Sequence, residues 1–528
     1  MTTDHTRPIH EIAERLHIPL DALLPFGKDI AKIDINKLSS LSCSHKGRLI
    51  LVTAMTPTKA GEGKTTISIG LADALTSTEP RTVVCLREPS LGPYFGRKGG
   101  GTGGGASRLV PENEINLHFT GDMHAIGAAH NLLAAMLDNH LFHDNALDMD
   151  PARILWPRVL DINDRALRSI RLSPSGNQDA NSHTGSFDIT PASEIMAALC
   201  LAKNADDLKT RLERLIVAKN KTGGFVNAHD LLATGAMMRL LRNALLPNLV
   251  QTAKGTPAFV HGGAFANIAH GTSSLIALDV ALAHARLVVT EAGFGADLGA
   301  EKFMNIAVRN GAPPPDLAVI VASCRALAYQ GKGNIEAGLI NLERHLAILS
   351  RFGVPALVAL NRFADDEPDD IAFLTDWART KDVAMAVCDP FDHNGAGCAD
   401  LAQACLARMN EEQTNFRTLY ADDAPLEAKM ETVAREIYGA GGIDMTPETI
   451  ADIADLAARG FGGLPICMAK TPRSLTADAK IHGAPTGHVL PIRSIRLAAG
   501  AGFIVALTGN VMTMPGLPAN PAAESMMC

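Results

Sequence analysis

Short apolar runs alternate with amphipathic stretches along most of this chain. The runs are Leu49–Met55 (LILVTAM), Thr82–Leu86 (TVVCL), Ala285–Glu291 (ARLVVTE), Leu317–Ser323 (LAVIVAS), Val354–Asn361 (VPALVALN) and Val383–Asp389 (VAMAVCD). They are rich in β-branched and small residues, and helical patterns such as Ile67–Leu75 and Ile340–Leu349 separate them. Such runs read as strands buried on both faces. The predicted fold class is α/β: a doubly wound, mostly parallel sheet with additional smaller α/β domains. Residues 1–47 read as helices and turns leading into the first strand. Residues 400–460 read as mostly helical, and the tail from Phe461 as apolar runs broken by turns.

The junction after the first run carries the sharpest chemistry. Thr56–Thr66 reads TPTKAGEGKTT, between a strand pattern and a helical one. A helix start leaves its first amide N–H groups without intrahelical acceptors and adds a partial positive charge, so this turn is an anion cradle. The N–H groups of Gly61, Glu62, Gly63 and Lys64 can point at one anion. Lys64 can reach outer phosphates, and the Thr65 hydroxyl can ligate a magnesium ion carried by the nucleotide. Thr58, Lys59, Ala60, Gly61, Glu62, Gly63, Lys64 and Thr65 are therefore the candidate ATP-binding residues. They make the predicted sheet one of the P-loop type, although Thr58 stands where that loop usually opens with glycine.

The next strand, TVVCL, makes the opening unit βαβ, with its site at the C-terminal strand ends. Arg87 then leaves a strand expected to adjoin the P-loop strand. Its planar guanidinium can hold a small carboxylate beside a terminal phosphate, and a structural salt bridge is the alternative. Gly99–Gly105 reads as a flexible loop, able either to close over a reaction or to be a solvated linker. His118, His124 and His130 lack zinc spacing, so Asp122 is the candidate in that segment, with helix capping as its alternative. HGGAFANIAHG (His261–Gly271) sets two histidines and paired glycines in an apolar context, suited to a ligand or to a tight turn. Glu291 and Asp297 are acidic candidates for magnesium-bound water or substrate contacts, or helix-start residues. Phe363 and Phe391 each follow a strand. With only 4% aromatic residues in the chain, two rings at strand exits suggest stacking on a flat ligand, against the commoner fate of core packing.

Bulk properties narrow this picture. A chain of 528 residues suits several domains. A formal net charge of −8 argues against a nucleic-acid partner. Nine cysteines without a CxxC pair argue against a disulfide framework or zinc site and fit a reducing cytoplasm. No signal peptide is evident near Asp4, His5, Glu11 and Glu14, and no apolar stretch is long enough to span a bilayer. A cytoplasmic protein without a membrane partner is expected.

Together the segments TPTKAGEGKTT, REPSLGPYFGRKGGG, INLHFTGDMHAI, NLVQTAKGTPAFVHGGAFANIAHG, VVTEAGFGADLGAEKF and AGAGFIVALTGNVMTMPGLP, from Thr56 to Pro518, closely resemble the formate–tetrahydrofolate ligase family. The resemblance implies ATP-dependent ligation of formate to tetrahydrofolate through formyl phosphate, giving 10-formyltetrahydrofolate, ADP and phosphate. It implies ATP with magnesium, activation by a monovalent cation such as K⁺ or NH₄⁺, and a homotetramer of three-domain subunits. The divisions fall at 1–300 (ATP and formate), 301–415 (an α/β domain contributing to the folate site) and 416–528 (a C-terminal α/β domain). By the same resemblance Thr58–Thr65 hold ATP and Arg87 binds formate and the intermediate. Phe363 and Phe391 wall the pterin slot, Phe391 standing where the family usually has tryptophan. Lys64, Arg87, Asp122 and His261 are the catalytic candidates, the last two as bases. Two further departures stand out. Lys59 replaces an expected proline, and AYQGKGNIEAG (Ala328–Gly338) is shorter than the family's loop, with Gln330 at a histidine position.

Lys59 also makes the turn approach the deviant P-loop of partitioning and metal-carrier ATPases, which are nucleotide-driven switches. Those proteins are usually shorter and lack the HGG, TEAGFGAD and PGLP segments.

Overall fold

The computed structural model describes residues 6–38, 47–96, 101–173, 182–509 and 511–526. A 12-stranded sheet runs through it. In chain order its strands are β1 (Leu23–Pro25), β2 (Ala31–Ile33), β3 (Arg48–Ala54), β4 (Thr82–Leu86), β5 (Gly103–Gly104), β6 (Ser107–Val110), β7 (Asn248–Thr252), β8 (Pro257–Val260), β9 (Leu287–Glu291), β10 (Leu317–Ala322), β11 (Ala356–Asn361) and β12 (Met385–Cys388). The spatial order is β1-β2-β7-β8-β4-β9-β3-β10-β11-β12, with β6 on β7 and β5 on β6. Every pair from β8 to β12 along that path is parallel. The β1, β2 and β7 edge is antiparallel.

The parallel strands lack polar alternation because both their faces are buried. Strand β3 sends Leu49 and Leu51 into one apolar layer and Ile50, Val52 and Ala54 into the other. Strand β10 divides the same way, Ala318 and Ile320 against Leu317, Val319 and Val321. The helices that matter for the site are α1 (Lys64–Thr76), α2 (Asp122–Phe142), α3 (Leu275–His284), α4 (Cys324–Gln330), α5 (Ile335–Arg351) and α6 (Ala399–Glu411). α1 and α6 fill one layer, and α2, α3 and α5 fill the other. Side-chain caps start several of them. Ser274 accepts the Ala277 N–H for α3, and Asn334 accepts that of Ala337 for α5.

The apolar runs become strands close to their predicted limits, and three expectations change. The segment before β3 contributes β1 and β2 to the sheet edge rather than only helices and turns. Strand β4 does not adjoin β3, because β9 lies between them and pairs with both. Strand order depends on which distant segment fills the gap, and periodicity carries no record of it. The glycine-rich stretch is not wholly irregular: Gly103–Gly104 form β5, hairpinned on β6. Gly99 and Gly100 lie outside the described residues.

The sheet is continuous across residue 300, since β10–β12 belong to it. Beyond it, Gly442–Met445 pairs with Val489–Ile492, and Ile466–Ala469, Phe503–Leu507 and Ser494–Ala498 form a separate three-stranded sheet. Among the described residues no helix is long and apolar enough to cross a membrane.

Candidate active site

Parallel strands release their following residues at one edge of the sheet. The turn after β3, Arg87 after β4, Glu291 at the end of β9, Phe363 after β11 and Phe391 after β12 all emerge there.

Contacts within the protein shape the turn. Helix α1 begins at Lys64, and Gly63 ahead of it has φ +74°. A Cβ on Gly63 would sit 2.5 Å from Asn361 Nδ2, whereas one on Gly61 (φ +83°) would meet nothing within 4 Å. Glu62 is 1% exposed and clamps the turn from inside. Its Oε1 accepts the Thr58 N–H at 2.7 Å, and its Oε2 accepts the Ser323 hydroxyl. Asn361 Nδ2 donates to the Glu62 carbonyl at 3.0 Å. Upstream, the Thr56 N–H donates to Asn341 Oδ1 at 3.2 Å, and its hydroxyl lies 3.0 Å from His345 Nε2. Lys59 and Ala60 are exposed; Thr58, Gly61, Gly63, Lys64 and Thr65 are half-buried.

Thr65 and Arg87 meet through Glu291. The Thr65 hydroxyl donates to Glu291 Oε2 at 2.8 Å, and Arg87 Nη2 lies 3.4 Å from Glu291 Oε1. Strand β9 thus separates the strands bearing the turn and the guanidinium, and its own last residue closes the gap. Arg87 Nη1 also donates to the Ala264 carbonyl at 3.4 Å, which brings the His261–Gly271 loop to the site. A Cβ on Gly293 would lie 3.1 Å from that Nη1, so glycine there leaves room for the guanidinium. The salt-bridge reading of Arg87 holds, with Glu291 as its partner. Glu88 is buried beside Asp122, and burial first, then that neighbouring charge, lift its carboxyl well above the usual range.

Asp122 and His261 are built into the framework. Asp122 opens α2 and is 2.8 Å from the Lys32 ammonium, with Asn248 Nδ2 donating to it at 2.9 Å. Lys32 also donates to the Leu246 carbonyl at 2.9 Å, and all three side chains are buried. The His261 ring is fully buried, 2.7 Å from the Ala244 carbonyl through Nε2 and 2.5 Å from Ser274 Oγ through Nδ1. A carbonyl only accepts, so Nε2 carries the proton and Nδ1 accepts from the hydroxyl that caps α3. Burial draws its pKa down to about 4, and the ring stays neutral. Both ring nitrogens are committed within the protein. His270 contrasts with it: both its ring nitrogens are buried without a hydrogen-bond partner among the described residues. Burial first, then the Arg87 and Arg211 charges, hold it neutral with a pKa of about 3.

Phe363 and Phe391 leave adjacent strands, whose ends align as Asn361 opposite Cys388. The Phe391 ring is 58% exposed. Its carbonyl accepts the Ala106 N–H at 2.7 Å, and a Cβ on Gly104 would lie 3.3 Å from its ring. Gly105, at φ +59°, would drive a Cβ into the Phe391 carbonyl. Here the glycines permit close packing of the hairpin. Gln330 is buried and its Oε1 accepts the Gly483 N–H at 3.0 Å, tying α4 to the C-terminal region.

Reading the sequence missed Arg325. It lies two residues after Ser323, the N-cap of α4 at the end of β10, and reaches Gly61 and Glu62 of the turn. The signal that marked Arg87, a basic residue just past a strand, is present there too. A cavity of about 670 Å³ lined by Trp156, Asp188, Glu194, Asp455 and Arg496 shares no lining residue with this edge.

An α/β protein that brings a glycine-bearing strand-to-helix turn, a guanidinium and two aromatic rings to one strand-end edge of its sheet has the layout of a small-molecule site. The family model for formate–tetrahydrofolate ligase matches residues 1–528. A formate–tetrahydrofolate ligase from Hyphomonas neptunium is 50% identical, the match covering 98% of this chain and 95% of the relative. Those from Zymomonas mobilis and Paracoccus denitrificans are each 49% identical over 98% of this chain, covering 96% and 95% of their own lengths. The chain belongs to the formate–tetrahydrofolate ligase family and is an enzyme of one-carbon metabolism.

Proposed function

We propose that this enzyme ligates formate to tetrahydrofolate with ATP, through formyl phosphate, on a P-loop-type doubly wound sheet. One observation carries the reading: Thr65 of the nucleotide turn and Arg87 share the Glu291 carboxylate. The carboxylate-binding group is thereby held beside the phosphate-binding one.

Formate is a weak nucleophile and an anion approaching a polyanion. Lys64 and Arg87 offset that repulsion and align the reactants. A formate oxygen bonds to the γ-phosphorus as the bond to ADP breaks. The N10 nitrogen of tetrahydrofolate then attacks the formyl carbon, phosphate leaves, and the amine proton is released. The pterin lies against Phe363 and Phe391. The Thr65 hydroxyl at a helix start and the Glu291 carboxylate at a strand end, two hard oxygen donors, fit a nucleotide-borne magnesium ion. Bound there, that ion would offset phosphate charge. Asp122 acts indirectly in this scheme, through its buried pair with Lys32. His261 supports the loop that carries Ala264. Activation by K⁺ or NH₄⁺, a homotetramer and a cytoplasmic location complete the proposal; rates with and without the ion and sedimentation test the first two.

ADP release by the purified protein should require formate and tetrahydrofolate together. ATP turnover indifferent to both would instead favour a nucleotide switch, which the exposed Lys59 would suit.

A further inference from the structure

The parts of the strand-end edge meet at one side chain with no role in the scheme above. Arg325 lies in the first turn of α4. Its Nη2 donates to the Gly61 carbonyl, and its Nε is 3.3 Å from Glu62 Oε2. Its guanidinium carbon is 3.6 Å from the centroid of the Phe363 ring, a stacking distance. The carboxylate it pairs with is fully buried, while Arg325 itself is 37% exposed. Ser323 and the Thr58 N–H hold the same carboxylate, so the anchor is fixed on the turn side. From the other side Asn361, two residues before Phe363, donates to the Glu62 carbonyl. Turn and ring are tied by two routes, and Arg325 also covers a ring face.

The geometry points to Arg325 as a positioning residue that couples the nucleotide turn to the folate-stacking ring. Gly61 and Glu62 hold the guanidinium, the guanidinium orients Phe363, and the affinities for nucleotide and tetrahydrofolate become linked. The inference rests on the ligase reading of Phe363 as a pterin wall. A planar guanidinium can stack on a ring and hydrogen-bond in its own plane at once, whereas a lysine ammonium cannot. Linkage is reciprocal: the factor by which nucleotide changes tetrahydrofolate affinity is the factor returned.

The test uses the full chain with Arg325→Lys and Phe363→Leu. The parent enzyme is first assayed for ADP release that depends on formate and tetrahydrofolate. Absence of that dependence rejects the ligase reading itself, before any variant is compared. Titration calorimetry then gives the tetrahydrofolate dissociation constant with and without ADP. ADP should tighten tetrahydrofolate binding to the parent by about fivefold or more. In Arg325→Lys the KM for tetrahydrofolate should rise about tenfold, with kcat and ADP affinity changed by less than about twofold, and the ADP effect gone. Phe363→Leu should also abolish the ADP effect while leaving ADP affinity unchanged, and it decides the matter if Arg325→Lys does not fold. An ADP effect absent from the parent, surviving in Phe363→Leu, or accompanied by an unchanged tetrahydrofolate constant in Arg325→Lys overturns the inference.

Discussion

Glu291→Gln is the most informative single change, because it keeps the shape of the side chain and removes the charge that Thr65 and Arg87 share. Glu291 is 5% exposed. Its contact with Arg87 is 3.4 Å long. At an effective dielectric of 20, unit charges at that separation attract by about 5 kcal/mol before desolvation is subtracted. Hydrogen bonds to charged groups net about 1.5–3 kcal/mol. The amide of Gln can still accept the Thr65 hydroxyl, so the turn should survive while the guanidinium loses its anchor. At about 1.4 kcal/mol per factor of ten, kcat/KM for formate should fall roughly 10- to 100-fold. The KM for ATP should rise by a smaller factor, since Gln keeps an oxygen donor toward the nucleotide's magnesium. Initial rates with formate and ATP varied separately read both effects. A formate kcat/KM within about threefold of the parent in a folded variant would refute the anchoring role. So would a lower KM for formate, since Glu291 would then be competing for Arg87 rather than placing it.

Other outcomes follow from the same geometry. Gly63→Ala carries about 1–2 kcal/mol of left-handed strain and also displaces Asn361 from the Glu62 carbonyl, whereas Gly61→Ala carries the strain alone. Steady-state rates should show the Gly63 variant losing at least about tenfold more kcat/KM for ATP than the Gly61 variant, and equal losses would contradict the close approach. Glu301 is fully buried, and burial lifts its pKa from 4.5 to about 7 against the opposing pull of Lys302 and Asn305. The folded state therefore holds this proton more tightly than the unfolded chain, a contribution of ~3 kcal/mol that is whole below about pH 4.5 and lost as pH rises through about 7. Glu301→Gln should gain in melting temperature over the parent between pH 5 and pH 8, and parallel melting curves across that window would contradict it. Lys470 and Asp297 are 2.8 Å apart and fully buried. Lys470→Met should destabilise by about 3–5 kcal/mol, and Lys470→Met with Asp297→Leu should recover most of it; urea midpoints that rank the two the other way would rule out an uncompensated charge.

The strands, the glycine-bearing turn that opens a helix and the emergence of Arg87, Phe363 and Phe391 at strand ends were legible, because each is written in a few consecutive residues. The insertion of β9 between β3 and β4 was not, since hydrophobic alternation records burial and not neighbours. Glu291 stood out as an acidic candidate, yet its part in joining Thr65 to Arg87 exists only in three dimensions. The glycines before β6 read as a flexible loop, either closing over a reaction or a solvated linker. Gly104 and Gly105 instead pack closely against Phe391, a need set by a segment nearly three hundred residues away. His261 had the composition of a catalytic base. Its two bonds, to Ala244 and Ser274, depend on contacts that no local pattern encodes.

The placement of β9 also bears on how the polypeptide is made. Thr65 and Glu291 are separated by 226 positions, and Arg87 and Glu291 by 204. A ribosome therefore delivers both halves of the strand-end edge long before the strand that unites them. Until then β3 lacks both of its neighbours and β4 lacks one, and such bare parallel edges are the kind of surface that recruits other chains. Truncations ending before β9 should accumulate as aggregates rather than as nucleotide-binding fragments, and chaperone demand during synthesis should peak over that interval.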